Sequence, residues 1–348
     1  MTDLRTIKVL VVDDSTLMRN MVGDIIKATP GFKLVGSAKN GLEAIEQVRQ
    51  LSPDVVTMDI EMPKMDGLQA LARLMTESPV ATVMLSAHAK EGAESTLLAL
   101  ELGAVDFVTK PSGSISLDID KVRVELVEKI RIAAEVDLAK MKPGTGHHPA
   151  PAMPEGRAPS GVMKTLAIGS STGGTRALSE ILPKLPREIN AALLLVQHMP
   201  VGFTKSLAER LDNRSKIRIK EAQEGDMLER GLALLAPAGY HMELSPSGDR
   251  IKLNQNPPKF GVRPSVDVMM ESVALYSPAE TVGVILTGMG HDGANGVASL
   301  KKKGGHIIAE DRSTCVVYGM PKAAVETGAV DEVLPLEQIP GAIVRSCR

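Results

Sequence analysis

Ile7-Lys8-Val9-Leu10-Val11-Val12-Asp13-Asp14 decides the fold of the N-terminal half. Six residues with Lys8 as the lone polar member read as a strand buried on both faces, and the paired acids mark its carboxyl end. An amphipathic stretch follows over 16–28, and the pattern then repeats. Strand-like runs fall at 7–12, 33–38, 54–58, 81–85 and 106–109; helix-like stretches fall at 16–28, 42–51, 68–77, 93–102 and 119–140. Five βα units in succession predict an α/β fold with a parallel sheet covered by helices on both faces.

Open parallel sheets carry their sites at the carboxyl ends of the strands. Those positions hold Asp13 and Asp14 after the first run and Asp59 after the third. Ser86 follows the fourth, and Lys110 with Pro111 follows the fifth. Three crowded carboxylates repel one another unless a cation lies among them, and an all-oxygen donor set suits Mg²⁺. A carboxylate, a divalent cation and an ammonium together make an acceptor for phosphoryl transfer, because both cations offset charge on the phosphoryl oxygens.

This set resembles the receiver domain of two-component response regulators, over about residues 5–125. The resemblance implies a (βα)5 flavodoxin-like fold with Asp59 as phosphoacceptor. Asp14 would ligate Mg²⁺ directly, Asp13 would support it through water, and the backbone carbonyl of Glu61 would complete the protein's ligands. Ser86 would bind the phosphoryl group and trigger the switch, Lys110 would pair with it, and a cis bond would precede Pro111. The family often carries a reporting aromatic in the fifth strand; Phe107 fits that role or a core role. His88 reads as a loop histidine.

Residues 143–161 read PGTGHHPAPAMPEGRAPSG, with five Pro and four Gly, and Met153 is the one large aliphatic. Such a segment cannot bury enough apolar surface to offset its ordering entropy, so it is expected to be a linker. His147-His148 within it reads as a solvated pair rather than a metal site. The expected domains are therefore 1–142 and 162–348, both of ordinary size.

The strand–helix alternation restarts at 162. A strand-like run at 164–168 leads into Gly169-Ser170-Ser171-Thr172-Gly173-Gly174 and then a helical stretch through 182. G-x-S-x-G between a strand and a helix exposes its middle serine, here Ser171, near a helix N-terminus whose N–H groups can stabilise an oxyanion. Neither G-x-G-x-x-G nor G-x-x-x-x-G-K-[ST] fits, which weakens a phosphate-loop reading. A serine nucleophile needs a base and an orienting acid. The run at 192–196 leads to His198, and the run at 281–286 opens into Thr287-Gly288-Met289-Gly290-His291-Asp292-Gly293. Serine, histidine and aspartate thus fall at the ends of three strands that share one sheet edge. Their order is Ser…His…Asp, unlike the Ser…Asp…His of α/β-hydrolases. His291 is a rival base, while His241 and His306 read as surface or structural residues.

GSSTGG, VQHMP and LTGMGHDGA resemble the catalytic domain of the chemotaxis protein-glutamate methylesterase (CheB) family over about 162–345, as a doubly wound, mainly parallel α/β domain. The resemblance implies phosphorylation-regulated hydrolysis of glutamate γ-methyl esters on methyl-accepting chemoreceptors, with glutamine deamidation in some members. Ser171 would attack, His198 would take its proton, Asp292 would orient the imidazole, Met289 would offer an oxyanion N–H, and Thr172 would support the histidine or its loop. The expected phosphodonor is a chemotaxis histidine kinase, the expected cofactor is Mg²⁺ in the receiver, and none is expected for ester hydrolysis. The unphosphorylated receiver is expected to cover the Ser171 cleft.

Composition fits these readings and excludes others. Forty Lys+Arg against forty-two Asp+Glu leaves a formal net charge of −2, so there is no basic footprint for nucleic acid. Four Phe, three Tyr and no Trp argue against a base-stacking platform and require a core of aliphatics and the eighteen Met. Cys315 and Cys347 lack metal-like spacing and read as reduced thiols. No apolar run approaches the ~18 residues of a spanning helix, and 1–12 does not read as a signal peptide. The expectation is a cytoplasmic monomer that does not insert into membranes.

Overall fold

The computed structural model describes residues 6–86, 90–110, 115–141, 163–277 and 280–348. The chain divides into two compact units, Met1–Thr145 and Gly146–Arg348. The expected linker at 143–161 lies outside the described residues.

The first unit alternates β1 (Ile7–Val12), α1 (Thr16–Ala28), β2 (Phe32–Ala38), α2 (Gly41–Leu51), β3 (Val55–Asp59), α3 (Gly67–Glu77), β4 (Ala81–Ser86), α4 (Lys90–Leu102), β5 (Asp106–Thr109) and α5 (Ile115–Glu135). Its five strands are all parallel, in the order β2-β1-β3-β4-β5. β3 and β4 are buried along their whole length, which is why their sequences are almost unbroken apolar runs. Helix starts are fixed by side-chain caps: Ser15, Asn40 and Asp66 accept the N–H groups of Met18, Glu43 and Gln69. The last helix ends earlier than its periodicity suggests. Asp137 accepts the N–H of Ala139 and diverts the chain into a short 3₁₀ turn, Leu138–Met141.

The second unit is built on seven parallel strands in the order β14-β13-β12-β6-β7-β9-β8. These are β6 (Lys164–Ser170), β7 (Ala191–Gln197), β8 (Arg218–Glu221), β9 (Leu232–Leu235), β12 (Thr281–Ile285), β13 (His306–Glu310) and β14 (Glu332–Leu334). β10 (His241–Leu244) and β11 (Ile251–Asn254) form a separate antiparallel pair. The helices are α6 (Gly174–Ile181), α7 (Thr204–Asp212), α8 (Val266–Tyr276), α9 (Ala294–Lys302), α10 (Met320–Glu326) and α11 (Ile339–Ser346). Strand order reverses at β6, which leads through α6 to β7 on one side and borders β12 on the other. Methionines replace aromatics in the core: Met242, Met269, Met270 and Met320 are fully buried among Leu, Ile and Val.

Candidate active site and acidic cleft

In the first unit β1 and β3 are neighbours, so the acids that end them converge. One carboxylate oxygen from each of Asp13, Asp14 and Asp59 lies within 4.8 Å of the other two. Lys110 reaches in from the end of β5, its Nζ 2.8 Å from Asp13 Oδ2 and 2.7 Å from Asp59 Oδ1. Burial pushes the Asp59 carboxyl up to about 6; the Lys110 ammonium opposes this and the Asp13 charge adds to it. Burial works against the Lys110 charge, but bonds to both acids outweigh it and raise its pKa. One ammonium does not neutralise three carboxylates, and this all-oxygen set fits a hard divalent cation such as Mg²⁺.

Asp14, Asp59, Glu61, Ser86 and Lys110 line one cleft of about 580 Å³. The backbone at the end of β3 is tightly packed: a Cβ on Gly67 would sit 2.0 Å from the Asp59 carbonyl oxygen, so the start of α3 can approach β3 with glycine alone. The Ser86 hydroxyl is fully buried, 2.6 Å from Thr96 Oγ1 on α4. Phe107 is buried in the core with Lys129 Nζ 5.2 Å from its ring centre. His88 and Pro111 lie outside the described residues.

In the second unit the last register pair of β6 and β7 is Ser170 with Gln197, so Ser171 and His198 are the next residues on adjoining strand ends. Ser170 is spent structurally: it is fully buried and its hydroxyl donates to Gln197 Oε1 at 2.7 Å. Gln197 Nε2 in turn donates to the carbonyls of Ser171 at 2.9 Å and His198 at 3.1 Å, and the His198 N–H donates to Ser170 O at 3.1 Å. The Ser171 hydroxyl is left partly exposed and makes no hydrogen bond among the described residues, to His198 or elsewhere. Gly173 caps α6 at φ 81°, a backbone region that makes the turn after Ser171 sharp.

His198 Nε2 lies 2.9 Å from Asp292 Oδ2. With Nε2–H donating to the carboxylate, Nδ1 carries the free lone pair and is the nitrogen available to a serine. Asp292 itself is anchored from a direction that sequence spacing did not reveal. Its Oδ1 accepts from the Ser265 hydroxyl at 2.8 Å and the Asp267 N–H at 3.0 Å, and its Oδ2 accepts from the Val266 N–H at 2.7 Å. The carboxylate therefore occupies the N-terminus of α8. Burial acts to raise its pKa, but the bond and charge of His198 and the α8 N–H groups outweigh that and lower it.

The support is mutual. Asp267, in the first turn of α8, accepts the N–H groups of Gly293 at 2.9 Å and Gly296 at 2.8 Å at the start of α9. Its other oxygen takes Asn295 Nδ2 at 2.9 Å and Lys259 Nζ at 3.2 Å. Each helix thus holds its N-terminus against the other's aspartate. Ser265 caps α8 by accepting the Val268 N–H at 3.4 Å, a local helix-start pattern that does not name the acid held on that helix end.

Thr287 ties the third strand end to the serine turn. Its carbonyl accepts the Ser171 N–H at 3.0 Å, and its hydroxyl donates to the Thr172 carbonyl at 3.0 Å. Thr172 thus joins the site through its backbone, and its side chain is buried. A Cβ on Gly288 would stand 2.8 Å from Ser171 Cβ, so the Gly288–Met289 peptide runs directly beside the serine. His291 is exposed and meets Phe260 edge-on, ring centres 4.3 Å apart. His241 is buried with both nitrogens occupied, Nδ1 accepting from the Ser265 N–H at 3.2 Å and Nε2 donating to the Pro257 carbonyl at 3.2 Å. His306 pairs with Glu332 at 2.8 Å, at the start of β13 and so at the opposite sheet edge.

An α/β unit with an acidic, lysine-bearing cleft, followed by an α/β unit with serine, histidine and aspartate on one edge, is the build of a response regulator that carries its own enzyme domain. Comparison with known proteins agrees. Residues 9–119 match the response regulator receiver domain, and residues 166–343 match the CheB methylesterase domain. A protein-glutamate methylesterase/protein-glutamine glutaminase of Symbiobacterium thermophilum is 50% identical, over 98% of this chain and 97% of its own length. One of Pyrococcus abyssi is 47% identical, over 98% of this chain and 94% of its own. The crystal structure of the Thermotoga maritima CheB methylesterase catalytic domain covers 52% of this chain and 97% of its own, at 44% identity and a TM-score of 0.50. The chain belongs to the CheB methylesterase family, with a receiver domain ahead of the catalytic one. Among the described residues no helix is long and apolar enough to cross a membrane.

Proposed function

We propose that the chain removes methyl groups from glutamate γ-methyl esters on chemoreceptors, giving methanol and glutamate, under the control of phosphorylation at Asp59. The observation that carries this reading is the 2.9 Å pairing of His198 Nε2 with Asp292 at the strand end next to Ser171. Ser171 Oγ attacks the ester carbonyl while His198 Nδ1 takes its proton; Asp292 keeps the Nε2 proton in place and stabilises the imidazolium. The oxyanion is met by the Met289 N–H, with Thr172 holding the turn. His198 returns its proton to the departing methoxide, and water, deprotonated by the same imidazole, then cleaves the glutamyl-serine ester. Each proton movement in these steps passes through His198, which Asp292 orients. Glutamine deamidation uses the same acyl-enzyme with ammonia as the leaving group, and the relatives' names carry both activities.

The receiver takes its phosphoryl group from a chemotaxis histidine kinase onto Asp59. Asp13, Asp14, Asp59 and the Glu61 carbonyl would hold Mg²⁺, which supplies positive charge against the phosphoryl oxygens. Lys110 pairs with that group and Ser86 receives it, exchanging its Thr96 contact. The working protein is a cytoplasmic monomer of a receiver (1–142), a linker (143–161) and a catalytic domain (162–348).

Ser171→Ala is expected to abolish methanol release from methylated receptors while leaving phosphorylation of Asp59 intact. Retained methanol release would overturn the nucleophile assignment.

A further inference from the structure

Glu310 ends β13, the strand beside β12, and is fully buried. Its Oε2 accepts the Thr287 N–H at 2.8 Å, and its Oε1 accepts the Thr314 hydroxyl at 3.0 Å. Thr314 Oγ1 in turn accepts the Leu336 N–H at 3.0 Å, so the carboxylate is fastened from behind. Burial pushes its pKa up to about 7 against the lowering effect of these donors, and Glu180 on α6 adds to the rise. Arg176, also on α6, is the nearby cation. A buried carboxyl in such surroundings needs a reason to be kept, since an apolar residue fills the same space without desolvating a charge.

The reason lies in what Thr287 holds. Its carbonyl receives the Ser171 N–H, its hydroxyl binds the Thr172 carbonyl, and that same hydroxyl accepts the Val317 N–H at 2.9 Å. The next N–H, of Gly288, goes to the Val317 carbonyl at 3.1 Å, and the Gly288 carbonyl takes the N–H groups of Gly319 and Met320. Every other polar group of the Thr287 backbone and side chain is thus tied to a loop; its N–H alone is tied to a strand end. Glu310 is the rigid point from which the serine turn and the Gly288–Met289 peptide are both hung.

We propose that Glu310 is a positioning residue for ester hydrolysis: by fixing the Thr287 peptide it sets the separation between the Ser171 hydroxyl and the oxyanion-binding N–H of Met289. This rests on the serine-hydrolase reading above. A carboxylate that fixes the geometry of attack acts on the acylation step rather than on binding of the ester. Misplacement by about 1 Å costs up to about 100-fold in rate.

The test uses the full chain. Labelling of Ser171 by a fluorophosphonate, in which the serine oxygen bonds to phosphorus and fluoride leaves, reports nucleophilic attack, and kcat and KM are measured on methylated receptors. Glu310→Ala is expected to slow labelling and kcat by about 10- to 100-fold with KM within about twofold. Glu310→Gln, whose amide oxygen still accepts the Thr287 N–H, is expected to recover both rates to within about threefold. If Glu310→Ala does not fold, Glu310→Met, which keeps the volume and loses the acceptor, takes its place. Wild-type labelling matched by an equally reactive Ala or Met variant overturns this inference alone, as does a Gln variant as slow as Ala. A wild-type chain that stays unlabelled at Ser171 overturns the underlying reading and this inference with it.

Discussion

Asp59 and Asp292 both lie at the carboxyl edge of a parallel sheet, beside the strand where the order reverses, and both are nearly fully buried. Burial nevertheless leaves them in opposite states. Asp59 shares its cleft with two more carboxylates and one ammonium, and its pKa is raised to about 6. Asp292 faces an imidazole and the N-terminus of α8, and its pKa is lowered. The difference lies in how charge is completed. The receiver edge is left short of positive charge, an arrangement that suits a cation supplied from outside. The esterase edge finishes itself with backbone dipoles.

The contrast breaks most visibly at Asp292. Asp292→Asn keeps the side chain's shape but removes the charge that holds the His198 proton on Nε2, so kcat/KM for methyl ester hydrolysis is expected to fall by about three to four orders of magnitude. Receiver phosphorylation should be unaffected. A loss of less than tenfold would mean that the aspartate does not orient the base.

Next in size is the opposite sign at Asp59. A carboxyl whose folded pKa is raised above its ordinary 3.8 loses stability as pH climbs through about 6. Asp59→Asn should therefore stabilise the metal-free receiver, by up to about 3 kcal/mol at pH 8, with the gain fading as pH falls towards 4. Calorimetry of the full chain at several pH values reads this directly. Saturating Mg²⁺ should narrow the difference, because it stabilises the ionised wild type. Asp292 works the other way: its lowered pKa lends stability above the ordinary carboxylate range, lost as pH drops through the folded value. A destabilising Asp59→Asn at pH 8 without metal would collapse the comparison.

The smallest effect sharpens the account of α8. Ser265→Ala removes both the cap on Val268 N–H and a donor to Asp292, and should cost about 1 kcal/mol of catalytic-domain stability. Its melting transition should drop by a few degrees while the receiver's stays in place.

Much of this was legible from order along the chain. Apolar runs ending in Asp13-Asp14, Asp59, Ser86 and Lys110 place a cleft because parallel strands share one edge, and the same logic brings Ser171, His198 and Asp292 together. What stayed hidden depends on contacts between segments with no shared pattern. Val266 and Asp292 are twenty-six residues apart, and nothing in Ser-Val-Asp-Val states which acid will sit on that helix end. Glu310 reads as one more charge at the start of the polar stretch 310–314, since burial of a carboxylate is a property of the packed neighbours. The choice of Nε2 for Asp292 follows from the direction in which α8 presents that carboxylate, which no spacing encodes. The β10–β11 pair is two four-residue runs, too short for period-two alternation to stand out.

The exchange of aspartates between α8 and α9 has a consequence for how this enzyme can change. An acid that only steers an imidazole can be relocated on a scaffold by moving a loop. Asp292 is half of a two-way latch: shifting it uncovers the start of α8, and Asp267 then has no fixed α9 start to hold. The placing of Asp292 against His198 therefore depends on a pair of helices, and a graft or recombination that separates residues 265–267 from 292–296 is expected to lose that pairing even with Ser171, His198 and Asp292 all retained.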